Sequence, residues 1–484
     1  MPLKERDPPL SPRQERDHRK GRRLQPTMRR CDVVPTMRRA LCLLAIAAFA
    51  HAQDPHHEIQ CNTTVGGGVV PNRPPLILVP PLTGSFMEWR LTEAKQPGVL
   101  CKKTENWTVF WPPNPIDAVL EPYSKCWAHD ASFVYDAETD LYAEPEGVEI
   151  RVIPTIESLC DPFVNPSTGK PGMSGNKTSF GCICKNLQNM GYVRYKDFVT
   201  LNFDWRVGPG NWFAPEGYFS QLKALLEATS RANGGKKCIA LSYSLGGPVF
   251  ALFLQQYVDQ AWKDKYVQSV VSFSGVFGGT VETLVQQLQT SGEVTNQYLV
   301  AAERSWGSLS WMQASLPVQA LAVNSSDGKQ KFTGATLQNF WSEIGFPTAA
   351  TQLSNAKRYN TSALSPGADY YVIHGQGVPT PAVLEFPIGS DGKLNISASC
   401  SSGDNGRGPP PPPPVSGRDC VTHAADGDDT ATAFSLHGVP LAWAEGQKQP
   451  VRMFGFSNMS HDSASVDPRA MMVMRQAVEA GAKK

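Results

Sequence analysis

The pentapeptide Ser242-Tyr243-Ser244-Leu245-Gly246 sets a serine hydroxyl at a point where the chain should turn sharply. Ahead of it, Cys238 to Leu241 is an apolar run of strand length. Behind it, Gly247 and Pro248 open a segment in which Val249, Phe250, Phe253, Leu254 and Tyr257 recur at helical spacing. Proline suits the first helical position because its missing N–H has no partner there. A strand, a bend carrying serine and then a helix is the layout of a nucleophile elbow. The serine oxygen attacks, and the N–H of the next residue, here Leu245, helps to hold the resulting oxyanion. Ser242 occupies the position usually held by glycine, so the motif is formally S-x-S-x-G. Alone, the five residues favour an ordinary strand-to-helix turn; the strand and helix around them bring the two readings level, and the partners must decide.

A serine nucleophile needs a base, and the base needs an acid; in α/β-hydrolases the chain order is serine, acid, histidine. His374, His423, His437 and His461 follow Ser244. His461 lies in the polar stretch Asn458-Met459-Ser460-His461-Asp462-Ser463, between the last strand-like run and the last helix, where that fold carries its base. His374 at a strand end, His437 after an acidic loop and His423 beside a proline run fit less well. The acid is expected in Asp426-Gly427-Asp428-Asp429-Thr430. Burying so much negative charge requires a cationic or hydrogen-bonding receiver, and an imidazolium forming on His461 would serve. The same five residues also fit a solvated turn or a calcium loop, although the EF-hand spacing is incomplete.

The elements that must position these groups are legible as short apolar runs. Leu76 to Val79, between Pro75 and Pro80, has the profile of a buried first strand, and Leu82-Thr83-Gly84-Ser85 forms the loop at its carboxyl end. Ligands sit at that end of an α/β sheet, and the loop there supplies the second oxyanion N–H in such hydrolases. Further strands are expected at Phe198 to Phe203, Val267 to Phe273, Tyr370 to Ile373 and Val451 to Phe454. Tyr218, Leu222, Leu225 and Leu226 give one intervening helix its apolar face. The closing helix, capped by Asp467-Pro468, draws on Met471, Met472, Met474 and Val478. Such alternation indicates a parallel sheet covered on both faces.

Two stretches interrupt this pattern. Residues 92–185 hold most of the cysteines and many aromatics, which reads as an insertion stapled by disulfides, with Cys101–Cys126 one bridge. Trp107 and Trp111 within it suit either a lipid surface or an aromatic cluster buried beneath the loop. Residues 281–365 are irregular, polar and aromatic, which suits a cap over the sheet's carboxyl edge. The remaining divisions are a basic leader and signal peptide at 1–52, a tether at 53–73, core at 74–91, 186–280 and 366–484, and an insertion at 400–420. That last insertion contains six consecutive prolines, Pro409 to Pro414, read as an extended spacer.

At 484 residues the chain can bury a full core. Its first 39 residues carry 12 Lys/Arg against 5 Asp/Glu; the rest holds 33 basic and 39 acidic residues, an acidic balance that argues against a nucleic-acid partner. Met37-Arg38-Arg39, the apolar run Ala40 to Ala50 and the site Ala50-His51-Ala52 form the anatomy of a secretory signal, with cleavage expected after Ala52. The near-repeat PTMRR at Pro26 and Pro35 points to Met28 or Met37 as the start. Sequons at Asn62, Asn106, Asn176, Asn324, Asn360, Asn395 and Asn458 suit a glycoprotein of the secretory pathway, secreted or held in a lumenal compartment such as a vacuole or lysosome. Nine cysteines follow the signal, so one thiol is expected unbridged, and Cys238 in its apolar strand is the candidate. Cys182-x-Cys184 reads as halves of two bridges, and no Cys/His cluster has zinc spacing.

Several segments, in order, resemble the lecithin:cholesterol acyltransferase family, which includes lysosomal phospholipase A and the phospholipid:diacylglycerol acyltransferases. ILVPPLTGS at Ile77 is similar to that family's first strand and oxyanion loop. CKKTENWTVFW at Cys101, ending with SKCW at Ser124, is similar to its disulfide-closed, membrane-facing loop. SYSLGG, AWKDKYV at Ala261, SGVFGGT at Ser274, HGQGVPTP at His374 and DGDDT at Asp426 continue the likeness, which spans roughly residues 74 to 484 with interruptions near 135–185 and 395–420. The resemblance implies an α/β-hydrolase fold with a disulfide-closed membrane-facing insertion and a cap. It implies Ser244 as nucleophile, Asp428 as acid, His461 as base, the N–H groups of Leu82 and Leu245 as oxyanion hole, and Trp111 in the lipid-contacting loop. It implies transfer of a fatty acyl group from a phospholipid, through an acyl-serine, to a lipid alcohol such as a sterol or diacylglycerol, at a lipid surface and without metal or cofactor. It leaves an activating protein open. Hydrolysis of the same ester by a phospholipase A, and a lipid-binding protein without catalysis, are the rival expectations. Ser242, Pro81 in place of glycine and His437 in place of a bridging cysteine depart from the family pattern.

Overall fold

Runs of four to seven apolar residues bounded by turn formers can bury both faces only inside a parallel sheet flanked by helices. The computed structural model describes residues 61, 65–113, 117, 120–161, 180–288, 297–362, 364–396, 400–402 and 420–483. Its central sheet has six strands, β1 Leu76–Val79, β2 Phe198–Thr200, β3 Cys238–Tyr243, β4 Val267–Phe273, β5 Tyr370–Gln376 and β6 Val451–Ser457; β1, β3, β4 and β5 are such buried runs, and β2 and β6 are the half-exposed edges. They lie in the order β6-β5-β4-β3-β1-β2, all parallel. β1 and β4 have the limits expected from sequence. β2 stops at Thr200 because the chain then turns away: the Asn202 amide donates to the carbonyls of Ile153 and Thr155, and Phe203 N–H donates to Ser85 Oγ.

Side-chain alternation along each strand divides the interior into two cores. Ile77, Val79, Cys238, Ala240, Val270 and Val372 pack on one face with helix α1, Tyr218–Ala232, and helix α2, Gly246–Leu252. Leu76, Leu78, Ile239, Leu241, Val271 and Ile373 pack on the other with the closing helix α3, Pro468–Ala482. Asp467 caps α3 by accepting from the Arg469 N–H, and Met471, Met474 and Val478 form its buried stripe. Met472, expected among them, is 48% exposed, because one residue's advance rotates it off that face. Together, this topology is that of an α/β-hydrolase.

A second, five-stranded sheet runs Lys331–Thr333, Leu321–Ser325, Val378–Phe386, Cys420–Gly427, Cys400–Ser402. The stretch read as irregular, 281–365, therefore contributes two of its strands, besides short helices such as Gly307–Ala314 and Pro347–Ala356. Val378–Phe386 carries Pro379 and Pro381, which disguise it as a turn; a shift in register after Pro381 accommodates them. Its antiparallel partner Cys420–Gly427 ends directly before Asp428.

In the insertion, Glu105–Trp111 and Val148–Val152 flank Met87–Leu91. Cys101–Cys126 forms as expected, and Cys182 and Cys184 bridge to Cys61 and Cys160 respectively. Cys61 is thereby fastened to the body, as is Val70, so the later part of the stretch read as a tether is anchored. Cys238 is unbridged, and burial pushes its thiol up to about 12. The leader, Asn62, Asn176 and the proline run lie outside the described residues. Among the described residues, no helix is long and apolar enough to cross a membrane.

Candidate active site

The bend after β3 holds Ser244 at φ +52°, a left-handed conformation that non-glycine residues adopt only when the surroundings enforce it. Here Ser244 N–H donates to the Phe273 carbonyl of β4, and the Ser244 carbonyl accepts from Gly247 N–H. Gly246 is required by close approach: a Cβ there would collide with the carbonyl of Val79 and lie 2.7 Å from that of Pro80. That contact seats the elbow against the exit of β1, where the Leu82–Ser85 loop begins. Ser242 is fully buried within β3, and its hydroxyl has no hydrogen-bond partner among the described residues.

Ser244 Oγ lies 2.8 Å from His461 Nε2, and His461 Nδ1 lies 2.7 Å from Asp428 Oδ2. Three side chains distant in sequence thus meet at the carboxyl edge of the parallel sheet. Asp428 is fully buried, and its Oδ1 accepts from the N–H groups of Ala431, 2.8 Å, and Thr430, 3.2 Å. Burial works against the carboxylate, but His461 and these two N–H donors outweigh it and hold the Asp428 carboxyl below its usual range. For His461, burial works against the imidazolium. The carboxylates of Asp428, then Asp462 and Asp429, outweigh it and raise the ring above its ordinary value. A carboxylate that only accepts obliges Nδ1 to carry the proton, which leaves Nε2 to accept from the serine hydroxyl.

The backbone locks this orientation. His461 N–H donates to the Asp428 carbonyl at 2.6 Å, and Tyr243 Oη donates to the His461 carbonyl at 2.9 Å. Gly375, at the end of β5, admits the loop: a Cβ there would collide with the Met459 carbonyl and lie 2.9 Å from Asp428 Cβ. Neither Tyr243 nor Gly375 is singled out by sequence reasoning, although Tyr243 adjoins the serine. Of the other aspartates of the acidic run, Asp426 accepts from Gly377 N–H, whereas Asp429 accepts from the Thr430 hydroxyl and, at 3.4 Å, from His461 N–H.

The remaining histidines are placed away from the serine. His374 Nδ1 is 3.1 Å from the Gly375 carbonyl, and its ring lies 4.9 Å from that of His437. His423 pairs with Glu385. Among the described residues, the N–H groups of Leu82 and Leu245 have no acceptor, as oxyanion donors require. Trp107 and Trp111 are both half-buried. The guanidinium groups of Arg151 and Arg90 lie over the Trp107 ring, 3.8 and 5.1 Å from its centre, while the Trp111 indole N–H donates to the Thr83 carbonyl. Among the described residues there is no group of three or more potential metal-ligating side chains.

Comparison with known proteins adds the lineage. The family model described as lecithin:cholesterol acyltransferase matches residues 114–364, more than half of the chain. The chain belongs to the lecithin:cholesterol acyltransferase family. Among relatives, it is 27% identical over 323 residues to the lysosomal phospholipase A and acyltransferase of Homo sapiens, covering 64% of this chain and 73% of that protein. It is 23% identical over 400 residues to the phosphatidylcholine-sterol acyltransferase of Homo sapiens, covering 80% of each. It is 29% identical over 345 residues to lecithin-cholesterol acyltransferase-like 1 of Arabidopsis thaliana, covering 65% of this chain and 76% of that one. Membership in the lecithin:cholesterol acyltransferase family and the geometry at Ser244 rest on independent observations. One comes from the matched sequence, the other from hydrogen-bonding distances.

Proposed function

We propose that this protein is a serine O-acyltransferase. It takes a fatty acyl group from a phospholipid at a lipid surface and delivers it, by way of an acyl-serine, to a lipid alcohol. The observation that carries this reading is the continuous hydrogen-bonded line from Ser244 Oγ through the His461 ring to Asp428 Oδ2. His461 Nε2 takes the hydroxyl proton as Ser244 Oγ attacks the ester carbonyl, and the N–H groups of Leu82 and Leu245 hold the oxyanion. Collapse breaks the ester C–O bond, and the departing lysophospholipid oxygen takes the proton from His461. An acceptor hydroxyl then gives its proton to His461 and attacks the acyl-serine; collapse breaks the bond between Ser244 Oγ and the acyl carbon, Oγ takes the proton back from His461, and the new ester leaves. Asp428 stays ionised throughout and stabilises the imidazolium.

An apolar cavity of about 410 Å³ adjoins the acid loop, lined by Val281, Leu316, Leu321, Val383 and Phe434, with Asp426 at its margin. Its size and lining suit a hydrocarbon group. In this reading residues 92–185 form the lipid-facing insertion and 281–365 the cap. The bridges Cys61–Cys182, Cys101–Cys126 and Cys160–Cys184 and the seven sequons fit a lumenal or extracellular setting.

Incubation of the purified protein with radiolabelled phosphatidylcholine vesicles, with and without a sterol or diacylglycerol, tests the proposal. Labelled acyl ester is the expected product. Free fatty acid alone would identify a phospholipase, and no product would refute catalysis.

A further inference from the structure

The loop that carries the Leu82 N–H is short and conformationally uncomfortable. Thr83, next to Leu82, is β-branched yet sits at φ +61°, in the left-handed region where such residues are outliers. Residues of this kind persist only where neighbouring groups over-determine them. Here the neighbours are identifiable. Gly84 N–H donates to the Pro81 carbonyl at 3.1 Å, closing the turn. The Ser85 carbonyl accepts from the Trp205 indole N–H at 3.1 Å, and Ser85 Oγ accepts from Phe203 N–H at 3.1 Å. The Thr83 carbonyl itself accepts from the Trp111 indole N–H at 2.9 Å. Two indoles therefore grip successive alternate carbonyls of the loop.

Trp111 is placed to do this by the insertion. It ends the strand Glu105–Trp111 and lies opposite Met87, two residues beyond Ser85. Its ring meets that of the fully buried Trp205 edge-on, with centroids 5.0 Å apart, and tilts against Trp127 at 6.4 Å. Trp127 follows Cys126, so the Cys101–Cys126 bridge closes the segment that holds Trp111. The indole thus packs against two others where it reaches Thr83.

We propose that Trp111 is a positioning residue for the oxyanion hole, holding the Leu82–Ser85 loop in its left-handed turn through the Thr83 carbonyl. The inference rests on the proposed acyl-serine chemistry and adds to it a duty for a side chain whose evident alternative is lipid contact. Without the indole donor, Thr83 relaxes towards ordinary backbone angles, the adjoining peptide planes rotate, and the Leu82 N–H leaves the position where the oxyanion forms. Small displacements of such a donor act on the transition state more than on the bound ester.

The test uses the full chain and a soluble short-chain p-nitrophenyl ester, so that lipid binding does not enter the rate. Trp111→Phe keeps an aromatic ring and removes only the donor. It should lower kcat about tenfold, with KM changed less than about twofold, and should slow modification of Ser244 by an alkyl fluorophosphonate to a similar extent. Vesicle binding and the thermal midpoint should stay near those of the parent. Adding Thr83→Asn, which tolerates the left-handed conformation, should restore part of the lost kcat. If Trp111→Phe folds poorly, 3-benzothienylalanine at position 111 supplies the same bicyclic shape with sulfur in place of N–H, and the same loss is expected. An unchanged kcat, or a rise in KM at constant kcat, would overturn the inference. Ser244→Ala distinguishes the two levels: if it is inert while Trp111→Phe is unimpaired, only this inference fails, whereas ester turnover by Ser244→Ala removes the underlying reaction.

Discussion

Tyr243 and His461 lie with their rings stacked, centroids 5.7 Å apart, and the Tyr243 hydroxyl donates to the His461 carbonyl. The residue immediately before the proposed nucleophile, Ser244, therefore holds the backbone of its proposed base. Tyr243→Phe preserves the ring contact and deletes one buried hydrogen bond. It should cost about 1 kcal/mol of stability and lower kcat severalfold, with KM little changed. Urea unfolding and steady-state kinetics on the same preparation check both effects, and a kcat equal to that of the parent would show that His461 needs no such support.

The Asp428–His461 pair sets a pH dependence. The proposed reaction requires neutral His461, whose pKa is raised above its ordinary 6.5 by Asp428 and its neighbours against the opposing effect of burial. Activity is therefore lost as pH falls through that raised value. Asp428→Asn removes the strongest charge favouring the imidazolium, so the acid limb of kcat/KM should move to lower pH. Its amide also no longer fixes the tautomer, and kcat should fall by about 10⁴. A pH–rate profile of both forms on a soluble ester decides this; an acid limb at the same pH in both would remove Asp428 from its role.

Arg206 connects the sheet to the insertion. It is fully buried, pairs with Asp204 at 2.6 Å, donates to the Ala131 carbonyl and lies over the rings of Phe133 and Phe110. Arg206→Ala leaves Asp204 without its guanidinium partner, though not without the residue-206 N–H, and should destabilise the protein by about 3 kcal/mol. Arg206→Lys should recover only part of that, since a single ammonium cannot reproduce the planar fork. Denaturant midpoints of the two variants provide the measurement.

How far the fold was legible follows from the physics of each part. The buried parallel strands announce themselves because both faces must be apolar, which is why Leu76–Val79 and Val267–Phe273 are bounded correctly by composition alone. The serine and histidine were legible because a strand–turn–helix and a loop between the last strand and helix are local patterns. Choosing Asp428 among three aspartates needed the family resemblance, since its receivers, the N–H groups of Ala431 and Thr430 and the ring of His461, depend on folding. Val378–Phe386 was hidden by its prolines. The contacts of Tyr243 with His461 and of Trp111 with Thr83 join residues 218 and 28 positions apart, and no periodicity encodes such meetings.

Ser244 Oγ is the atom proposed to carry the acyl group. Acid-quenched incubation with phosphatidylcholine vesicles, followed by peptide mass spectrometry, tests this directly. The account predicts a fatty-acyl mass increment on the peptide containing Ser244, absent from Ser244→Ala, which should also form no product. An acyl group found on another residue, or product formed at the parent rate by Ser244→Ala, would contradict it.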